Sequence, residues 1–598
     1  MNTGILRGYD SYIIFGTLAM GQQALKQLNA ENIDIKYFCD NNPKTWNTEV
    51  RGIPVVEPST LPLLVKDHNA LVIIASTGNK HVIATQMQEA NVPYVYFSKQ
   101  IFVEITSFCN QKCTFCPYEY LERKKGHLDW EHAKSFLHDL VSDKSDVLYP
   151  VIYPHVMGEP LISRYFFDFL DLCGELGLFV VVVTNFALMD EKIQERLLSN
   201  YDNIDIILSL QGPTEKVFHW RKEPKLTYKE WTDRMFQVIE SKFKYGFKGQ
   251  IQISTLWPEI VNNYLYRSDN PLNIFEWFSS KEEFQEWKRE FGLRCVNLAE
   301  EVSRKYPENY NRLSSEDPNQ RIEHFYHKHS LKRDLDEWIN AEGPAQFEFL
   351  PNVHIYGKAF GVWGVEKYFK ALLPDDKFLY WEENWHTLPE KCNRLGDVAL
   401  LSSGEMVVCN VDNEADYVIA DLNKGEKYTN TSTQQRLRDL RENPNLSPLC
   451  RRCKARALVF DTLPLENAES QKVVHYGMRW HRKATNANQE VYRKSYEYSC
   501  AFVLPRINAT SLEVDVESTQ SRKQYNLIKI LSYDDVQKIF TERCFYTQPL
   551  KPGERKKVSI PYSFEMGKLH RIDFIVDTQD SGGVMVYGIS LQRGGILS

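Results

Sequence analysis

Seven of the chain's 12 cysteines fall in two groups whose spacing suits metal chemistry. Cys109, Cys113 and Cys116 lie in one short loop, FCNQKCTFCP, directly after the apolar run IFVEIT. In a large chain, clustered thiols point to metal or redox chemistry rather than to disulfides. Three thiolates can each take one iron of a cubane and leave its last iron open to an outside ligand. Catalytic zinc sites keep a vacant position on the same logic. Zinc itself is the alternative here, and it would recruit a further ligand, for which His127 is the candidate. The second group is Cys392, Cys409, Cys450 and Cys453. Its sulfurs suffice for one fully ligated cluster or one zinc ion.

These loops need a scaffold, and the pattern supplies an α/β one. A chain of 598 residues is too long for one core, and roughly three to five domains are expected. Residues 1–100 alternate strand and helix, with SYIIFG, IKYFCD, NALVIIAST and VPYVYF as strands, and read as a Rossmann-like sheet. Its first turn, Gly16 to Gly21, departs from a dinucleotide fingerprint. Leu18 stands where a glycine would let backbone approach a pyrophosphate. Asp40 occupies the place of a ribose-binding acid. The segment therefore reads as a nucleotide site or as a docking domain.

Residues 101–257 repeat strand and helix, with IFVEIT, VIYPHVMG, LFVVVVTN, IDIILSL and QIQISTL as near-continuous apolar strands. Such runs suit parallel strands covered on both faces. Serial units of this kind build a partial (β/α)6 barrel, whose chemistry gathers at the C-terminal strand ends. Residues 258–345 read as a helical insertion or lid. Residues 346–480 contain a last barrel strand, FEFLPNVHIYG, and the second cysteine group. Residues 485–598 show short alternating strands and read as an antiparallel β-sandwich. Tyr498, Phe502, Phe545 and Tyr562 could stack on sugar rings there, or fill strand cores.

The net charge of −7 gives no electrostatic reason to expect nucleic acid. The longest apolar run, Leu178 to Val183, is too short to span a membrane, and the N-terminus lacks the regions of a signal peptide. A cytoplasmic protein is the expectation.

CxxxCxxC with an aromatic, Phe115, before the last cysteine resembles the defining motif of the radical S-adenosylmethionine (SAM) superfamily. That resemblance implies a [4Fe-4S] cluster whose open iron chelates SAM, whose reductive cleavage gives a 5′-deoxyadenosyl radical, and whose radical takes hydrogen from a substrate. Met157-Gly158-Glu159-Pro160 resembles the family's GGEP turn, with Gly158 giving close approach, Glu159 accepting from the SAM ammonium and Pro160 stiffening the turn. Thr184 and Asn185 resemble its ribose-binding strand end. Ser209-Leu-Gln211-Gly212 resembles its Ser-Leu-Asp-Gly ending, with Ser209 as the SAM contact. Arg221 takes the place of an arginine that pairs with the SAM carboxylate. LLSSGEMVVC with the later CxxC resembles the SPASM or twitch extension and implies one auxiliary [4Fe-4S] cluster. FCDNNP and IPVVEPSTL resemble Rossmann-like domains attached to surface-polysaccharide enzymes.

Together these resemblances imply a carbohydrate or nucleotide-linked sugar substrate, a flavodoxin- or ferredoxin-type electron donor, and epimerisation or dehydrogenation as the outcome. Peptide maturation, common among SPASM enzymes, is a second reading, and a non-catalytic iron–sulfur scaffold is a third. Epimerisation requires a hydrogen donor. Cys295, in GLRCVNL, is the candidate, with helix packing as the other reading of that residue.

Overall fold

The computed structural model describes residues 2–592 except 77–79, 114–115, 213, 220–225, 257–280, 316–330, 333–334, 341–345, 359–396, 443–445, 449, 451–473, 477–483, 486–490, 495–497, 504–508, 519–525, 535–538, 547–549, 552, 565–569 and 577–583. Phe115, Arg221, Cys392 and Cys453 lie outside the described residues.

One sheet begins with β1 (Ser11–Phe15), β2 (Ile35–Cys39), β3 (Glu49–Val50), β4 (Ile53–Val56) and β5 (Ala70–Ile74). It continues through β6 (Tyr94–Val103), β7 (Val147–Tyr153), β8 (Phe179–Thr184), β9 (Ile204–Gln211) and β10 (Ile251–Leu256). It ends in β11 (Leu331–Lys332), β12 (Gln346–Leu350) and β13 (Val353–Lys358), in the spatial order β11-β12-β13-β10-β9-β8-β7-β6-β5-β1-β2-β4-β3. From β6 to β10 and on to β13 neighbouring strands are parallel. That run is the barrel-like core. Amphipathic helices such as Trp130–Leu140 and Tyr228–Tyr245 link its strands. The second of these opens with a capping box at Thr227 and Glu230.

Two strands expected to be separate are one. β6 covers both VPYVYF and the start of IFVEIT, so the N-terminal sheet runs into the barrel without a break. Its first residues pair with β5, its last with β14 (Val398–Leu400), and its other edge with β7. Ser98-Lys99-Gln100 interrupts the apolar run and suggests a boundary. In the fold Lys99 is fully buried, 2.7 Å from Asp146 and 3.0 Å from the Tyr428 hydroxyl. Ser98 donates to the Tyr149 carbonyl. A buried charge persists inside a strand when it is paired and hydrogen-bonded.

A second difference lies in FEFLPNVHIYG. It is a hairpin rather than one strand, turning at Asn352, whose φ is +56°. Only β13 joins the parallel run, through β10.

The sheet's two faces differ. One packs against helices in a large core containing Ile101, Ile206 and Ile253. The other, the barrel interior, carries Phe102, Tyr153, Val181 and Ile207, closed over by Ala399 and Leu401. β15 (Glu405–Val407) and β16 (Val418–Asp421) extend from β14 as an antiparallel meander. Among the described residues no helix is long and apolar enough to cross a membrane.

The C-terminal region forms two antiparallel sheets of five strands each. Leu512, Val514 and Ile560 of one meet Ile572 of the other in a shared core. Tyr562 is half-buried, edge-on to Phe564 and His570.

Candidate active site

The three clustered cysteines sit just past the C-terminal end of β6. The chain leaves the sheet after β6, and an isolated antiparallel bridge then joins Thr106 to His127. Cys109, Cys113 and Cys116 are reduced, partly exposed thiols between these points. The Cys116 N–H donates to the Cys113 carbonyl at 2.9 Å, which coils the loop. The Gln111 N–H lies 3.4 Å from the Cys109 sulfur, and the Cys109 N–H donates to the Tyr118 hydroxyl at 3.1 Å. An N–H aimed at sulfur favours a thiolate, the form in which cysteine binds metal. Burial pushes the Cys116 thiol well up, and the neighbouring Cys113 and Cys109 sulfurs add to this. Metal binding would relieve that cost by neutralising the crowded sulfurs.

Among the described residues no three His, Cys, Asp or Glu side chains converge on a single ion. His127 pairs its ring with Phe108 instead. Three cysteines on one loop are a donor set that can take three irons of a cluster and leave the last one open. The donor set therefore suits a cubane.

Strand ends hold this loop from below. Gly158, after β7, has φ +85°, a conformation that favours glycine. A Cβ there would stand 2.5 Å from the Thr106 carbonyl oxygen and 2.8 Å from that of Phe108. Glycine thus lets the turn press against the backbone leading into the cysteines. The Glu159 N–H donates to the Phe108 carbonyl at 2.8 Å. Pro160 starts a short 3-10 turn behind it.

The Glu159 carboxylate is buried and accepts from the Thr184 hydroxyl at 2.6 Å and the Asn185 N–H at 2.7 Å. The Asn185 side chain reaches forward instead, donating to Asn110 at 2.8 Å beside the Cys109 sulfur. The structure thus brings Glu159, Thr184, Asn185 and the cysteine loop together. Thr184 and Asn185 spend their polar groups on Glu159 and the loop, whereas the sequence pattern aims them at a ribose. Ser209 lies half-buried near the end of β9, next in register to Ser254.

Sequence reasoning missed one ion pair. Glu104, fully buried, accepts from Arg123 at 2.6 Å, from the Met157 N–H at 3.0 Å, and from both the N–H and hydroxyl of Ser402 at 3.1 and 2.7 Å. Arg123 also donates to the Asn413 carbonyl and to Ser402. The Glu414 carboxylate accepts the backbone N–H groups of Glu122 and Arg123. One carboxylate therefore ties the first strand, the stretch after the cysteines, the GGEP-like turn and the second cysteine region. The only signal in the sequence was an acid inside an apolar strand end. Arg123 lies in the charged string ERKKG, where nothing local marks it as a partner of Glu104.

Of the second group, Cys409 and Cys450 are described, and both are buried in the main core. The Val411 N–H lies 3.4 Å from the Cys409 sulfur, repeating the arrangement at Cys109. Asp412 accepts the N–H groups of Asp416 and Tyr417, and burial pushes its carboxyl up to about 7 against those bonds.

Cys295 is the sequence's candidate hydrogen donor. It lies fully buried on the helix Lys281–Lys305, within the helix-covered core. Burial drives its thiol far up. That places it on the helix-covered side of the sheet, opposite the face of Phe102 and Ile207.

At the N-terminal turn, Asp40 accepts from the Thr17 N–H and hydroxyl and from the Asn42 N–H. Leu18 projects into solvent, 80% exposed.

Comparisons with known proteins bear on the barrel. Residues 103–253 match the Radical SAM superfamily. Among solved structures, SuiB of Streptococcus suis bound to S-adenosylmethionine is 17% identical, with a TM-score of 0.29, over 55% of this chain and 64% of that one. This chain thus spans just under two thirds of SuiB. BtrN in complex with AdoMet and 2-DOIA is 12% identical, with a TM-score of 0.28, over 60% of this chain and 94% of that one. UDP-D-quinovosamine 4-dehydrogenase from Vibrio fischeri is 24% identical, with a TM-score of 0.14, over 15% of this chain and 79% of that one. Superpositions this loose leave the assignment to the family match and the local geometry. The stretch that matches the Radical SAM superfamily, residues 103–253, is the one that holds the cysteine loop and the parallel strands β7 to β9.

Proposed function

We propose that the chain is an enzyme that cleaves SAM reductively and abstracts hydrogen from a carbohydrate or nucleotide-linked sugar. A [4Fe-4S] cluster with SAM on its open iron supplies, when bound, the 5′-deoxyadenosyl radical. Cys109, Cys113 and Cys116 would hold that cluster. Glu159 would take the SAM ammonium as a further partner of a carboxylate already fixed by Thr184 and Asn185. A carboxylate held in place loses little on receiving a cation, and the charge-assisted bond is strong in a buried site. Gly158 keeps that carboxylate close to the cysteine loop. Ser209 and Arg221 would complete the SAM contacts.

The observation that carries this reading is the chain of contacts from Glu159 through Thr184 and Asn185 to Asn110 beside Cys109. It joins residues from two strand ends and the sulfur loop into one polar unit. A scaffold that merely stored a cluster would have no use for a buried acid aimed between strand ends.

The sugar reading draws on the FCDNNP and IPVVEPSTL stretches and on the C-terminal pair of antiparallel sheets. Cys392, Cys409, Cys450 and Cys453 would hold one auxiliary [4Fe-4S] cluster, and a flavodoxin- or ferredoxin-type protein would supply electrons. The test is anaerobic reconstitution with iron and sulfide, followed by dithionite and SAM. Release of 5′-deoxyadenosine is expected, with loss of that product in Cys113→Ala. Iron-loaded wild-type protein that releases none would refute the assignment.

A further inference from the structure

The barrel interior is apolar on one side and polar on the other, and the polar side contains hydrogen-bonding groups that no described residue satisfies. β10 was expected to be apolar on both faces, yet QIQISTL alternates. Ile251 and Ile253 enter the helix-covered core. Gln252 and Ser254 therefore face the interior, since successive strand residues point to opposite faces. Register confirms the side. Gln252 pairs with Ile207, an interior residue, and Ser254 pairs with Ser209.

Across the next strand Gln252 pairs with His354 and Ser254 with Tyr356. Two rows result. Ser209, Ser254 and Tyr356 form the upper one, nearest the strand ends that carry the cysteine loop. Ile207, Gln252 and His354 form the row beneath. The opposite wall, from Phe102, Val151, Tyr153 and Val181, is apolar.

Gln252 is 3% exposed and Ser254 is 2% exposed. The Gln252 carbonyl oxygen and the Ser254 hydroxyl have no hydrogen-bond partner among the described residues. Leaving a buried polar atom unsatisfied costs about 1–3 kcal/mol. Apolar residues fill the same face one strand away, so nothing in the fold demands polarity here. Buried polar groups without a partner call for an explanation, and a bound ligand is the one that fits two of them on one wall of the interior.

We propose that the interior wall of β9, β10 and β13 is the substrate wall, and that its ligand presents several hydroxyl groups to Gln252 and Ser254. A hydroxyl both donates and accepts. It can satisfy an amide oxygen and a serine hydroxyl at two levels of one wall, while the ligand's C–H face rests on the apolar side. This is the chemistry of a sugar ring. The inference rests on the proposed function and narrows its substrate class from the wall alone.

The test uses full-length reconstituted enzyme, wild type, Gln252→Leu and Ser254→Ala. The probes are UDP-glucose and glucose 1-phosphate, with a short Gly-Ala-Ser peptide as the contrast. In the wild type a hydroxylated probe should stimulate 5′-deoxyadenosine release. Each variant should raise the KM for that probe about tenfold, the size of one lost hydrogen bond of about 1.4 kcal/mol. Both variants should melt at or above the wild-type temperature, because an orphaned polar group has been removed.

An unchanged KM overturns the proposal. So does stimulation by the peptide alone, or a wild type that neither sugar stimulates and neither sugar binds. Loss of the SAM-induced change in the reduced cluster's EPR spectrum in either variant assigns the wall to the cofactor and also overturns it. If the wild type binds UDP-glucose in a thermal-shift assay, and the variants do not, yet no 5′-deoxyadenosine forms, the wall stands and the proposed function fails.

Discussion

The two sulfur-bearing loops share a local device and differ in what holds them. At Cys109 and at Cys409 the N–H two residues on lies 3.4 Å from the sulfur. The second loop is secured partly by its own sequence and partly by the stretch that follows the first cysteines, through Arg123 on the Asn413 carbonyl and the Glu122 and Arg123 N–H groups on Glu414. Asp412 bonds Asp416 and Tyr417, and its N–H returns to the Cys409 carbonyl. The first loop is secured by residues distant in sequence: Asn185, the turn at Gly158, and the pair of Glu104 with Arg123. A loop that folds partly on its own contacts can hold a closed site. A loop shaped by the ends of several strands can leave one position open and aim it at the barrel.

The largest expected effect follows from breaking the distant support. In Glu104→Gln, Arg123 keeps its charge in a buried place without its carboxylate. Losing one member of a buried pair costs about 3–5 kcal/mol. Denaturant unfolding should show that loss, and iron analysis after reconstitution should show it concentrated at the first loop. Equal iron loss in Cys409→Ala and Glu104→Gln proteins would mean that the two loops are not held differently.

Gly158→Ala attacks the same loop from the turn beneath it. The added methyl meets backbone oxygen, not a movable side chain, and the positive φ adds strain. A cost of about 2–4 kcal/mol is expected. The iron signal from the first loop should broaden or fall, while the second site loads normally.

The attachment of the second region to the barrel is smaller and sensitive to acid. Asp146 accepts from Lys99 and from the Tyr428 hydroxyl. Burial alone would raise its carboxyl, but Lys99, Tyr428 and Arg441 bring it below the usual carboxylate range. Its folded pKa lies under its unfolded one. The stabilisation is therefore complete above the unfolded value and is lost as pH falls through the folded value. Asp146→Asn should cost roughly 2 kcal/mol at neutral pH, less than a fully enclosed pair. It should also flatten the decline of melting temperature below about pH 4. A variant with the same acid profile as wild type would remove this pair from the account.

What the sequence made legible follows the same division. The CxxxCxxC spacing, Gly158-Glu159-Pro160 and Thr184-Asn185 are local strings at successive strand ends, and the fold brings them together. Glu104, Arg123 and Glu414 were not legible as a unit, because they are far apart in sequence and each reads as an ordinary charge. β6 was misread for a related reason: Lys99 looks like a strand break until Asp146 and Tyr428 are seen beside it. Gln252 and Ser254 were hidden inside a strand taken as uniformly apolar, although their period of two was present. Local chemistry is written in short strings. Partnership across the fold is not.

Cys295 gives the smallest effect and tests whether an N–H aimed at sulfur distinguishes working thiols. It is as buried as any cysteine among the described residues, yet it sits on a helix in the apolar core, and burial holds its thiol far above the range in which a thiolate forms. Replacing it with alanine removes one heavy atom and leaves a small void, at a cost of roughly 1 kcal/mol. Denaturation should register that cost. Iron content, 5′-deoxyadenosine yield and the configuration of any product should be those of the wild type. If product configuration changes while stability does not, a thiol behind the sheet has reached the substrate, and burial in the helix-covered core is no guide to which cysteines act.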